Sequence, residues 1–150
     1  MTNERQLRPQ SPTEQFFNRA FGFFVGVGIA PSYAYLLQVR GRKSGKVYAT
    51  PVSLLELNGK KYLVAPRGRT QWVRNAEAAG EIALKKGSKV ARFRLRALAD
   101  GEKLPVLKAY LERFRGAVQR FFTVKAGSPV EQFAPIAENH PAFELVALQV

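Results

Sequence analysis

The chain has no cysteine and a single histidine, His140, in 150 residues. A disulfide framework, a thiol nucleophile, a structural zinc and any chemistry that needs two histidines are thereby excluded. Acidic residues are also scarce: 11 Asp and Glu stand against 24 Lys and Arg, a formal net charge of +13. Such a surplus raises a positive potential over the surface and calls for an anionic partner. Nucleic acid, an acidic membrane face and a phosphorylated cofactor each meet that requirement, and net charge does not separate them. No long hydrophobic run is present. The most apolar stretch, Ala20 to Ala34, contains Gly22, Gly26, Gly28 and Pro31 and is shorter than the ~20 residues a spanning helix needs. Glu4 lies among the N-terminal basic residues and no small-residue cleavage pattern follows the apolar run, so a cytoplasmic protein is expected.

What is present is enough apolar material, 46% of residues, for the core of one domain. Residues 1–10 are polar and read as a disordered basic tail, leaving residues 11–150 as a single domain. Ser11, Pro12 and Glu14 form a capping box with proline at the first helical position, and Phe17, Ala20, Phe21 and Phe24 recur at helical spacing behind it. This helix either packs on the core or touches lipid. Strands are expected at Tyr33–Arg40, Val47–Leu57, Lys60–Ala65, Glu81–Lys86, Lys89–Leu98 and Phe143–Leu148, with helices over Gln71–Ala79 and Asp100–Arg115. Asn58-Gly59 is a strong hairpin signal, and Gly80 a plausible helix stop. Pro51 implies a sheet edge, a bulge or a place where the sheet yields to a ligand. Ala91, Phe93, Leu95 and Ala97 alternate with Arg92, Arg94 and Arg96, which gives one buried and one cationic face. The segment from Gly116 to Pro141 has mixed signals. The order of elements predicts an α+β fold with a mostly antiparallel, six-stranded meandering sheet or small barrel and flanking helices.

Two basic stretches could carry chemistry. In Gly41-Arg42-Lys43-Ser44-Gly45-Lys46, three cations, a hydroxyl and two glycines can converge on a phosphate, although an exposed basic hairpin turn has the same composition. Neither a Walker loop nor G-x-G-x-x-G is present. In the second, Pro66-Arg67-Gly68-Arg69-Thr70 leads into a helix N-terminus and the only tryptophan, Trp72, which can offer an anion site and an apolar wall or simply belong to the core. A hairpin between the second and third strands would set the two loops on neighbouring parts of one sheet. His140 has no partner implied by its neighbours and reads as structural or exposed.

The run Leu36-Leu37-Gln38-Val39-Arg40-Gly41-Arg42-Lys43-Ser44-Gly45-Lys46, then Thr50-Pro51-Val52, then Trp72-Val73-Arg74-Asn75, resembles the deazaflavin (F420)-dependent nitroreductase family of flavin/deazaflavin oxidoreductases, found mainly in actinobacteria. The resemblance spans about Tyr33 to Leu98 and implies a split β-barrel of the FMN-binding type. It further implies that Arg42, Lys43, Ser44, Gly45 and Lys46 hold the phosphate of coenzyme F420. Tyr48, where many relatives have arginine, would border that grip. Thr50 and Pro51 would lie beside the ring, Arg67 and Gly68 would line its pocket, and Trp72 and Asn75 would brace the second loop. Phe114, Phe121 and Phe122 stand where tyrosines line the substrate pocket of the best-known branch, so a more apolar pocket is implied, with Ser53 or water as proton source. FMN is the alternative cofactor.

The expected activity is hydride transfer from reduced deazaflavin to a quinone, enone or nitroaromatic acceptor. Such chemistry belongs to the cofactor, so the lack of a catalytic triad or metal cluster is no objection. The alternatives are a small barrel without catalysis that binds nucleic acid, for which no recognition element is visible, or one that binds lipid or another hydrophobic ligand. A small-molecule acceptor, a peripheral membrane contact through the Phe-rich N-terminal helix, and a monomer or homodimer complete the expectation.

Overall fold

The computed structural model describes residues 31–148. The expected tail, the capped helix after it and any membrane contact made through its phenylalanines lie outside the described residues. Seven strands form one sheet: β1 (Ala34–Arg40), β2 (Val47–Ser53), β3 (Leu55–Leu57), β4 (Lys60–Val64), β5 (Glu81–Lys86), β6 (Lys89–Ala97) and β7 (Ala142–Ala147). Their order is β2-β1-β5-β6-β7-β4-β3, with every pair antiparallel. Helix α1 (Gln71–Ala79) links β4 to β5, and α2 (Asp100–Val118) follows β6. Two 3-10 segments, Gln119–Phe121 and Val130–Asn139, fill the stretch before β7.

β2 and β3 occupy opposite ends of the sheet order, yet only Leu54 separates them along the chain, so the sheet curls toward closure. The fold is therefore an α+β split β-barrel, with seven strands where six were expected. The extra strand comes from a break in the stretch Val47–Leu57. Leu54 and Leu55 are both buried, which a continuous strand cannot achieve because successive side chains point to opposite faces. At Leu54 the backbone N–H donates to the carbonyl of Tyr33 at 2.9 Å, and the chain leaves β1 to pair with β4. β2 pairs with β1 alone, an edge that accommodates Pro51, which has no N–H to give a ladder. The β3–β4 hairpin turns on Asn58 and Gly59, both at positive φ (53° and 79°), as a two-residue turn of this hand requires.

α1 ends at Gly80, whose φ of 79° and N–H to the Ala76 carbonyl (2.8 Å) close the helix as its position suggested. α2 starts at Asp100 as expected. Its N-cap is Ala99, and the Glu102 carboxylate reaches back to accept the Ala99 N–H at 2.9 Å. It continues past Arg115 to Val118, with non-helical angles at Phe114. Along β6 only Phe93 is buried and Leu95 half-buried, while Ala91 and Ala97 are exposed, since the core on that side reaches just the two larger side chains. The cationic face is solvated, as expected, and Arg92 and Arg96 are paired with Glu81, Glu102 and Glu144.

Two large apolar clusters, and a smaller one of Ala65, Val73 and Phe143, hold the barrel. One packs α2 and the Val130–Asn139 segment onto β3 and β4 around Leu107, Leu111 and Phe133; the other lies under α1, among Leu37, Leu63, Ala76 and Leu84. Each large side chain buried there stabilises the fold by ~1.5–3 kcal/mol. Between them the chain leaves a cavity of about 920 Å³ where β2, the β4–α1 loop, α1 and α2 meet.

Candidate active site

The basic turn between β1 and β2 is closed by its own backbone. The Gly41 N–H donates to the Lys46 carbonyl (2.6 Å) and the Gly45 N–H to the Gly41 carbonyl (3.0 Å), with Gly45 at φ 76°. The Lys46 N–H donates to Ser44 Oγ (3.1 Å), which lies 3.2 Å from the Tyr48 hydroxyl. Tyr48 lies so close over Gly41 that a Cβ there would sit 2.5 Å from its Cε2, so no larger residue fits without displacing the ring.

α1 is tied to this turn by one buried side chain. Asn75 Oδ1 accepts both the Arg42 backbone N–H (3.0 Å) and its Nη1 (2.7 Å), and Gln71 Oε1 accepts the same Nη1 at 2.9 Å. Both basic stretches therefore border one cavity, though not through the hairpin expected from the sequence. β2 and β4 are not paired; the curl of the sheet and the Asn75–Arg42 contact bring their loops together.

Of the residues singled out from the sequence, Arg42, Lys43, Ser44, Tyr48, Thr50, Pro51, Ser53, Arg67, Trp72 and Asn75 line the cavity. Gly45, Lys46 and Gly68 shape the loops without reaching its wall. Trp72 is half-buried, with one side on the cavity and its ring tilted against Phe143 at 6.2 Å. Phe114, Phe121 and Phe122 are not on this wall. Phe114 packs in the core against Tyr33 and Tyr110, Phe122 stacks on His140, and Phe121 borders a separate groove. From α2 it is Tyr110 and Val118 that line the cavity instead. Tyr110 was missed because its spacing along α2 is that of a core residue. Burial pushes its phenol above the ordinary tyrosine range, so it stays protonated at neutral pH.

The electrostatics are one-sided. Among the described residues no carboxylate lines the cavity, and its three cations there, Arg42, Lys43 and Arg67, have no acidic partner. Among the described residues, six acidic side chains pair instead with Lys60, Arg69, Arg92, Arg96, Lys103 and Lys108. Unneutralised cations beside a roomy, partly apolar cavity fit a planar ligand that carries a phosphate. Among the described residues no group of His, Asp and Glu is arranged to hold a metal, and no helix is long and apolar enough to cross a membrane.

Residues 13–120 match the family model described as F420H2-dependent quinone reductase. The chain belongs to that family. Reduced coenzyme F420 is thus its hydride source, and the cavity, with its cations, hydroxyls and volume, fits that group. Members of the wider split-barrel group share the fold. An F420H2-dependent reductase, FDR-A, is 23% identical, covers 76% of this chain and 94% of its own, and superposes with a TM-score of 0.51. A structure described as a domain-swapped dimer is 22% identical over 90% of this chain and 99% of its own, with a TM-score of 0.55. The heme storage protein HutZ from Vibrio cholerae is 9% identical over 95% and 93%, with a TM-score of 0.57. No curated protein matches the chain.

Proposed function

We propose that this quinone reductase family member binds F420 in the 920 Å³ cavity and delivers its hydride to a quinone, enone or nitroaromatic acceptor in the cytoplasm. The observation that carries this reading is the set of three cavity cations without a carboxylate partner among the described residues. Arg42, Lys43 and Ser44 would hold the phosphate. Asn75 and Gln71 would fix the Arg42 guanidinium so that little conformational freedom is lost when the anion arrives. Tyr48 would keep the turn in shape through Ser44 and Gly41. Thr50, Pro51 and Trp72 would provide the walls beside the ring system, with Arg67 at the opposing edge.

When bound, reduced F420 supplies the hydride; the chain has only to orient it, exclude water and supply a proton. The Tyr110 phenol lines the same cavity and carries a proton at neutral pH, so it joins Ser53 as a candidate donor to an acceptor oxygen. The domain-swapped neighbour supports testing this chain for a homodimer by light scattering.

The deciding experiment mixes the purified protein with reduced F420 and menadione at low salt and follows cofactor absorbance, beside a titration of cofactor binding. Oxidation that depends on protein, and binding weakened at least tenfold by the Arg42→Ala, Lys43→Ala double variant, are expected. Absence of binding at low salt removes the assignment. Mass spectrometry of the small molecule released from the protein as purified separates F420 from FMN.

A further inference from the structure

Beyond Pro66 and Arg67, which it shares with the main cavity, a second groove of about 410 Å³ runs between the β4–α1 loop and the segment after α2. Phe121 and Ile136 make it apolar, Thr123 borders it, and no carboxylate among the described residues lines it. Two guanidinium groups lie against the one phenyl ring: Arg120 at 4.7 Å and Arg67 at 5.9 Å from the Phe121 centroid. Neither has an acidic partner among the described residues. Arg115 and Lys125, likewise unpaired there, border the adjoining depression with Arg120.

The walls are built rather than loose. The Gln119 side chain donates to the Val124 carbonyl and accepts the Ala126 N–H, both at 2.9 Å, which pins the loop that carries Thr123. On the opposite side the Ala65 N–H donates to the Pro141 carbonyl at 2.8 Å, and His140, buried and stacked on Phe122 with centroids 4.1 Å apart, backs the groove. Two like charges held against one ring repel each other, and an anion bound beside them, in contact with Arg67 in the groove and in the field of Arg120 at the adjoining depression, relieves that repulsion.

We propose that this groove receives a negatively charged substituent of the electron acceptor, so that the enzyme prefers anionic planar quinones over neutral ones of the same ring size. This rests on the hydride-transfer reading above and specifies its acceptor class. The electron balance is that of any quinone reduction. A hydride from reduced F420 and one proton, from Tyr110 or water, convert the quinone to its hydroquinone, while the cofactor is oxidised by two electrons. The ionised substituent keeps its charge throughout, so Arg67 and Arg120 act on binding.

The test compares 2-hydroxy-1,4-naphthoquinone, which is ionised at neutral pH, with neutral menadione. Binding of each is measured by calorimetry on the full chain, alongside the ratio of their kcat/KM values with F420H2. At low salt the anionic quinone should bind about tenfold more tightly, and the preference should shrink severalfold in 0.5 M salt, where exposed charges are screened. Exposed Arg120→Gln should lower the preference about fivefold in both readouts. Equal affinity for the two quinones in the unaltered protein overturns the proposal. So does an Arg120→Gln effect confined to cofactor affinity and growing with the length of the cofactor's glutamyl tail, since the groove would then belong to the tail. Loss of the oxidoreductase reading itself shows up separately, as failure to bind F420.

Discussion

Asn75 offers the sharpest test of how the basic turn works, because two substitutions there separate geometry from charge. Its Oδ1 holds the Arg42 backbone N–H at 3.0 Å and the guanidinium at 2.7 Å, from a position only 5% exposed. Asn75→Ala removes both. A neutral hydrogen bond contributes about 0.5–1.5 kcal/mol and a charged one about 1.5–3. Discounted because Arg42 itself is exposed, the loss comes to about 2 kcal/mol, or roughly 4–8 °C in Tm for a domain of this size. With Arg42 no longer oriented, F420 affinity should fall roughly tenfold. Asn75→Asp keeps the acceptor oxygen and should leave Tm within about 2–4 °C, since it perturbs stability by no more than about 1 kcal/mol. It does, however, place a carboxylate beside Arg42 and the phosphate site. If the phosphate rests on Arg42 as proposed, a like charge on the far side of that guanidinium, at an effective dielectric of 20–40, costs on the order of 1–2 kcal/mol. Affinity should drop some five- to thirtyfold, and the deficit should shrink as salt rises. Differential scanning fluorimetry and cofactor titration at two ionic strengths read both effects. If Asn75→Asp binds F420 as well as the unaltered protein does, the claim that the cavity works because its cations are unneutralised is wrong.

Other outcomes follow from single contacts. Gly41→Ala forces a methyl against Tyr48 and should cost about 1–3 kcal/mol of stability along with weaker cofactor binding, read by thermal melts and titration. Tyr110→Phe keeps the buried ring, so Tm should barely move while kcat/KM for menadione falls severalfold at unchanged cofactor affinity. Because burial raises the phenol above the ordinary tyrosine range, activity due to Tyr110 should persist in a pH–rate profile at about pH 10, where an unperturbed tyrosine is half ionised. For His140, burial lowers the pKa first and foremost, with nearby Lys103 acting in the same sense and the Ala65 and Pro66 backbone opposing. The unfolded chain therefore takes up the proton first as pH falls below about 6.5. The stability contributed by neutral His140 is present above that pH and is lost on acidification through the lower folded-state pKa. His140→Phe, which preserves the stack on Phe122, should flatten this loss in urea melts between pH 7 and 5.

Much of this protein was legible along the chain because its signals are local. The Asn58-Gly59 hairpin, the Gly80 stop, the edge-strand proline and the cationic turn each depend on residues within a few positions of one another, and each is found where its residues stand. Composition alone demanded an anionic partner. Tertiary structure decided the rest. The break at Leu54 depends on both neighbours being buried, which only the closing of the barrel determines. The same closure puts Tyr110 on the cavity wall, while Phe114 on α2 and Phe122 just after the Gln119–Phe121 segment pack into the core. It also decides which cations find acidic partners: ion pairing joins residues as far apart as Arg96 and Glu144, and no local pattern reveals that Arg42, Lys43 and Arg67 have none among the described residues.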